Sequence, residues 1–215
     1  MIVGCTKFTD RCLGIHPCCQ NNLLEILDFI HPLLKEHNIP HWLNFGTLLG
    51  AVRQQDLIPW DEDIDIGVWE KDVPKILKLE KVILSGGFRI LVNRFDDGRV
   101  CSITIFYSHV NSLHLCLNTW TVQDDEACGV EWSGMRFPLS KLITLSTATI
   151  RGKEYPCPSN PEIGLENFYG PDWRIPKVKK WIKDLGGPGR DPELVKMVNS
   201  LEEYEYEPGR KRGPA

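Results

Sequence analysis

The chain has 215 residues, 42% of them hydrophobic and 25% charged, enough to bury one sizeable core but not two separate ones. A formal net charge of -4 with no basic stripe gives no reason to expect a polyphosphate backbone as partner, so no nucleic acid is expected and any nucleotide is a small ligand. No run of about 18 apolar residues is present, so no membrane span is expected, and the opening MIVGCTKFTDRC lacks the basic-then-apolar pattern of a secretory signal. Four cysteines come first, Cys5, Cys12, Cys18 and Cys19, in a C-x6-C-x5-C-C pattern. Four thiolates are enough for a closed tetrahedral zinc site, and the residues by themselves leave zinc and disulfides about even. From Asn22 to Asn38 the apolar residues Leu23, Leu24, Ile26, Leu27, Ile30, Leu33 and Leu34 recur at helical spacing. Asn21 or Asn22 serves as cap, and Pro32 is expected to kink the helix or end it early.

His41 to Leu43 reads as a strand running into a turn at Gly46, and Ile64 to Trp69 as its hairpin partner. Asp72 to Leu84 predicts a second helix stopped by Gly86-Gly87. Strands are expected at Phe88 to Val92, Val100 to Tyr107 and Leu113 to Leu117, with Asp96-Asp97-Gly98 turning between the first two. From about Gly186 the chain changes character, with proline and glycine at both ends of one short amphipathic stretch, and reads as an appended helix with a disordered tail. The whole is an α/β (α+β) sheet with helices packed on it. It divides into a cysteine-rich loop at 1–21, a main domain at 22–176 and a C-terminal piece at 177–215.

Asp61, Asp63 and Asp65 stand at every second position. On an extended strand they project one way while Ile64 and Ile66 project the other. Like charges on one face repel unless a cation lies between them, and Mg²⁺ prefers a few carboxylates with phosphate oxygens and water. A solvated acidic loop after Pro59 is the bland alternative. The interleaved apolar residues and the upstream Phe45-Gly46-Thr47 argue against it.

Three stretches carry a family resemblance. They are Trp42 with Gly46-Thr47-Leu48-Leu49-Gly50-Ala51-Val52-Arg53, Ile58-Pro59-Trp60-Asp61-Glu62-Asp63-Ile64-Asp65-Ile66-Gly67, and Phe168-Tyr169-Gly170-Pro171-Asp172-Trp173 with Pro176. Together they resemble the LicD and fukutin-related group over roughly residues 40 to 176, densely at both ends and thinly between. The resemblance implies a nucleotidyltransferase-like fold and transfer of ribitol phosphate or phosphocholine from a CDP-linked donor to a glycan or glycoprotein acceptor. Fukutin-related members carry a zinc-binding loop ahead of the catalytic core, with a C-x6-C element and a later Cys-Cys pair. This implies structural Zn²⁺ on Cys5, Cys12, Cys18 and Cys19, although the gap between the two elements is shorter here. Those members are anchored in the Golgi, so the Golgi lumen is the implied compartment, with the cytoplasm as alternative; self-association into a homo-oligomer is left open.

Roles follow for single residues. Asp63 and Asp65 are expected to hold Mg²⁺ or Mn²⁺ against the diphosphate, with Asp61 a third ligand or an orienting group. Gly46 and Thr47 let backbone N–H groups approach the phosphates, and Leu48 and Trp60 belong to the same signature on the nucleotide side. Arg53 suits a phosphate or the pyrimidine, its bland alternative being an ion pair with Asp56 or Asp61. Phe168, Tyr169 and Trp173 would wall the nucleotide pocket, with Asp172 a hydrogen-bond partner within it. The family pattern puts a third carboxylate, base or metal ligand, where this chain has Cys116, a poor substitute because a thiol titrates near 8.5 and soft sulfur does not suit Mg²⁺. His114, on the same strand face, is one candidate for the missing base. Asp124, Asp125 or Glu126, from the following loop, are the others. If none replaces it, the chain is a weakened nucleotide-binding or scaffold relative; a separate alternative is an interaction module in which the loop from Cys5 to Cys19 is the functional part.

Overall fold

A computed structural model describes residues 5–8, 17–131, 135–179 and 192–204. Its centre is a mixed sheet with strand order β1-β2-β5-β4-β3, in which β1 is His41–Leu43, β2 Asp63–Trp69, β3 Arg89–Arg94, β4 Val100–Phe106 and β5 His114–Gln123. β2 and β5 run parallel; β1 on β2, β4 on β5 and β3 on β4 are antiparallel. Two short strands, β6 (Glu126–Gly129) and β7 (Arg136–Pro138), extend the sheet from the far end of β5.

Alternation sorts the sheet into two faces. Ile64, Ile66 and Val68 of β2, Leu115 and Leu117 of β5, and Ile103 and Ile105 of β4 are buried in one cluster. The helix α1 (Pro17–Glu36) belongs to that cluster through Leu23, Ile26, Leu27, Ile30 and Leu34. Each such side chain contributes about 1.5–3 kcal/mol when fully buried. Pro32 sits inside α1 and does not end it. Its ring removes the bond to the carbonyl of Asp28, an exposed position where water can serve instead.

The helix expected from Asp72 to Leu84 is two short ones, α3 (Val73–Leu77) and α4 (Glu80–Ser85). Between them Lys78 and Leu79 donate three residues back, to Lys75 and Ile76. That tightening keeps Ile76, Leu79 and Ile83 all in the core. Not expected from the sequence are β6, β7, α5 (Leu139–Ile143), the hairpin β8 (Leu145–Ile150) to β9 (Lys153–Pro158), and α6 (Pro161–Tyr169). The hairpin turns at Arg151 and Gly152, both at positive φ. Arg151 then ties it back by bonds to Asp56 at 2.9 Å and Asn21 at 2.8 Å.

Further on, β10 (Lys177–Lys179) pairs with β11 (Glu202–Tyr204), and α7 (Pro192–Ser200) lies between them in sequence. Val178 and Val198 are buried in the main core, so this end of the chain packs on the same body. Residues 205–215, expected as a tail, lie outside the described residues. Among the described residues no helix is long and apolar enough to cross a membrane.

Candidate active site

The other sheet face carries the chemistry. Parallel pairing sets Asp63 beside His114, Asp65 beside Cys116 and Gly67 beside Asn118, and antiparallel pairing sets Asn118 beside Ser102 and Cys116 beside Thr104. These residues, Gly67 apart, line a cavity of about 470 Å³, within the usual range for small-ligand sites. One residue pair further along, the face is dry. Trp69 and Trp120 pack with Trp42, whose indole lies across Gly67 so closely that a Cβ there would stand 2.3 Å from it. Glycine is required at that position by the close approach.

α2 (Phe45–Gln54) enters the cavity at its start and leaves it at its end. Phe45 opens the helix at φ 40, a left-handed conformation, and its ring meets Phe168 of α6 at 5.2 Å. Gly46 lines the cavity beneath the carboxylate of Asp61, whose Oδ2 would lie 2.4 Å from a Cβ there. Arg53 lines the cavity from the last turn. Asp56, one of the two ion-pair partners considered for it, is paired instead with Arg151. The side chains of Leu48 and Thr47 lie elsewhere. Leu48 is 1% exposed in the main core, and Thr47 is buried between α2 and β2, where its hydroxyl accepts the backbone N–H of Asp65 at 2.8 Å. Helical geometry turns both side chains away from the cavity, and the Thr47 hydroxyl positions Asp65.

Asp61 reaches the cavity by another route than strand alternation. The strand begins at Asp63, and Asp61 sits in the preceding turn, its N–H donating to the carbonyl of Ile58. Asp65 is held from the side as well. Asn118 Nδ2 donates to its Oδ1 at 2.8 Å, and the Cys116 thiol donates to Asn118 Oδ1 at 3.3 Å. The thiol proton is thus committed. Burial first, and then the charges of Asp65, Asp63 and Glu131, push the Cys116 thiol well above its ordinary range, so it is neither thiolate nor base. His114 Nε2 lies 3.9 Å from Asp63 Oδ2, and Nδ1 lies 3.1 Å from the carbonyl of Ser112. Facing a carbonyl, Nδ1 is the protonated nitrogen of the neutral ring.

Aromatic residues line the cavity as well, namely Trp60, Phe168, Tyr169 and Trp173. Asp172 lines it too, paired with Lys177. Asp124, Asp125 and Glu126 do not line it. They stand at and after the far end of β5, roughly 25 Å of extended chain from Cys116, and Glu126 is paired with Arg136 at 2.7 Å. Cavity residues not expected from the sequence include Glu131, Asn93, Ser102, Thr104 and Lys177. Alternation along Val100 to Tyr107 could have singled out Ser102 and Thr104; no spacing pattern points to Glu131.

At the other end of the chain, Cys5, Cys18 and Cys19 bring their sulfurs within 4.8 Å of one another and could hold a metal ion. None of the three is in a disulfide, and burial pushes the Cys18 thiol upward. Cys12, the fourth expected ligand, lies outside the described residues.

The sequence matches the family described as LicD/FKTN/FKRP, nucleotidyltransferase domain, over residues 38–160. The chain belongs to this family. Among its relatives, human ribitol 5-phosphate transferase FKRP is 29% identical over 192 residues, covering 78% of the chain and 38% of the relative. An uncharacterized protein, RP689, of Rickettsia prowazekii is 47% identical over 153 residues, 71% of the chain and 55% of the relative. The lipopolysaccharide cholinephosphotransferase LicD of Haemophilus influenzae is 49% identical over 43 residues, 20% of the chain and 16% of the relative. The chain spans under two fifths of the length of the human protein.

Proposed function

We propose that this chain is a transferase that moves a phospho-alcohol, ribitol phosphate first, from a CDP-linked donor to a hydroxyl of a glycan acceptor. The observation that carries the reading is the pair Asp63 and Asp65, held on one sheet face of a cavity that aromatic side chains also line. The relatives named as ribitol 5-phosphate and choline phosphate transferases support the class of group moved, and the name of the Haemophilus relative supports a glycan acceptor.

The donor set suits a hard cation. Asp63 and Asp65 present hard carboxylate oxygens to the cavity, Asn118 donates to one oxygen of Asp65, and the soft thiol of Cys116 is turned to Asn118. Asp63 and Asp65 would hold Mg²⁺ or Mn²⁺, which when bound offsets diphosphate charge. Arg53 adds a fixed positive charge to the same cavity. The aromatic wall stacks the cytosine, and Asn93, Ser102 and Thr104 offer neutral hydrogen-bonding groups to the alcohol. Thr47 and Asn118 keep Asp65 in place from its backbone and its side chain.

Phosphocholine is the second reading. It is favoured by Trp60, Tyr169 and Trp173, because aromatic faces attract a quaternary ammonium. A structural Zn²⁺ on Cys5, Cys18, Cys19 and Cys12 completes the proposal, since soft thiolates at this spacing select it. The Golgi lumen is carried in on the resemblance alone.

Calorimetry with CDP, CTP, CDP-ribitol and CDP-choline, with and without Mg²⁺, tests the reading. Binding that requires the cation and favours one CDP-alcohol is the expected result. Binding indifferent to Mg²⁺, or to no cytidine nucleotide at all, overturns it.

A further inference from the structure

The reaction proposed above needs a group to take the proton of the attacking hydroxyl, and the acids of the cavity can be considered one by one. Asp63 and Asp65 are the cation pair, Asp61 rests over Gly46, and Asp172 is neutralised by Lys177. Glu131 remains. The N–H of Val130 donates to the carbonyl of Thr119 at 2.9 Å, which anchors the chain beyond β6 next to the stretch of β5 that carries Cys116 and Asn118. The following residue, Glu131, is exposed and lines the cavity with both of them. Among the described residues no cation and no hydrogen-bond donor meets its carboxylate.

We propose that Glu131 is the catalytic carboxylate that takes the acceptor hydroxyl's proton, standing in space for the acid that Cys116 does not supply. The proposal rests on the transferase reading of the same cavity. In the step, the acceptor oxygen attacks the phosphorus that bears the alcohol and its proton passes to Glu131. The bond from that phosphorus to the bridging oxygen breaks, and its electron pair leaves on CMP. Nothing is oxidised or reduced. Two further facts favour Glu131 over His114. The Nε2 of His114 faces Asp63 at 3.9 Å, so a proton gained there is shared with a carboxylate the cation needs. The charge of Glu131 also bears on Cys116, which puts the carboxylate within electrostatic reach of the cation pair's neighbour.

The test uses the full chain with Mg²⁺ and three variants, Glu131→Gln, Glu131→Asp and His114→Gln. Release of CMP from CDP-ribitol and CDP-choline, with water as nucleophile, reports turnover, and calorimetry with CDP and Mg²⁺ reports donor binding. Glu131→Gln is expected to lower kcat by roughly 10²- to 10⁴-fold while CDP affinity stays within about threefold, and Glu131→Asp to recover part of the rate. Turnover of Glu131→Gln within about threefold of the unmodified chain overturns the proposal, above all if His114→Gln abolishes it. A parallel loss of CDP affinity overturns it too, by making Glu131 a donor or cation ligand. CDP binding with no CMP release in the unmodified chain also counts against it, because a competent base activates water. If the unmodified chain neither binds CDP nor releases CMP, the transferase reading itself falls; if it does both and ignores Glu131→Gln, only the base assignment falls.

Discussion

On β2 the side chains of Ile64, Ile66 and Val68 are 0%, 2% and 0% exposed, whereas Asp63 and Asp65, each one residue away, open into the cavity. β1 shows the same division: Trp42 lies on the cavity face over Gly67, and His41 is 5% exposed on the face that packs on α1. A titratable group therefore meets two regimes one residue apart. On the buried face His41 donates its Nδ1 hydrogen to the carbonyl of Ile39 at 2.8 Å, and its Nε2 accepts from His31 at 2.8 Å. Both nitrogens are used, so a second proton has no place, and burial lowers the pKa to about 4. On the cavity face carboxylates stand together with room for a cation. The sheet keeps charge off one side and collects it on the other.

The division between the two faces is tested most directly by Asp63→Asn with Asp65→Asn. Shape is kept and two charges are lost, so cation-dependent CDP binding is expected to fall by more than the roughly 10- to 100-fold typical of losing only an orienting group. Calorimetry measures the loss, and a denaturant midpoint no lower than that of the unmodified chain shows that the fold did not need the charges.

The buried face is probed by pH. His41 binds its proton near 4 in the folded chain and near 6.5 in the unfolded one. Above about pH 6.5 neither state holds it, and between about 6.5 and 4 the unfolded chain takes it up first. Stability therefore falls as pH falls through that window, by roughly 3 kcal/mol, and this group costs nothing further below it. Urea titrations across that range should show a shallower decline for His41→Gln; an identical slope would remove His41 as the cause.

Gly67→Ala asks whether the dry end of the cavity face is as closely packed as the core. The new methyl meets the Trp42 indole, and a loss of about 1–3 kcal/mol in denaturant unfolding is expected. A neutral result would mean that the indole can move. The mildest expected effect is that of Asn118→Leu, which removes the bond to the Asp65 carboxylate and the bond from the Cys116 thiol together. Mg²⁺-dependent CDP affinity should drop about 10- to 100-fold at most, with the fold intact by circular dichroism. An unchanged affinity would show that Asp65 keeps its place without the Asn118 bond.

Much of this site could be read from local spacing. The alternation around Asp63 and Asp65 put charge on one face of β2, and the apolar positions of α1 marked its buried stripe, because a period of 2 or 3.6 is set by the backbone within a few residues. Spacing alone does not say where the side chains of Leu48 and Thr47 go, since adjacent residues of a helix point about 100° apart and only packing on β2 decides which of them turns to the cavity. Strand alternation assigned Asp61 its face, but the strand begins only at Asp63. The hairpin at Arg151-Gly152 carries a turn signal in its glycine, and the carboxylates after Gln123 were reasonable candidates until the straight run of β5 carried them away from Cys116.

What the sequence determined by itself is the set of elements whose periodicity is local, the carboxylate pair on β2, and the family. The pairing of Asp65 with Cys116, the bond from Asn118 that holds Asp65, and the arrival of Glu131 at the same cavity were decided only by tertiary structure. The physical reason is sequence separation. Asn118 lies 53 residues beyond Asp65 and approaches it because parallel pairing of β2 and β5 fixes their register. That register is selected by the buried isoleucines and leucines on the opposite face, where a slip of one residue would turn the apolar side chains out and the acids in.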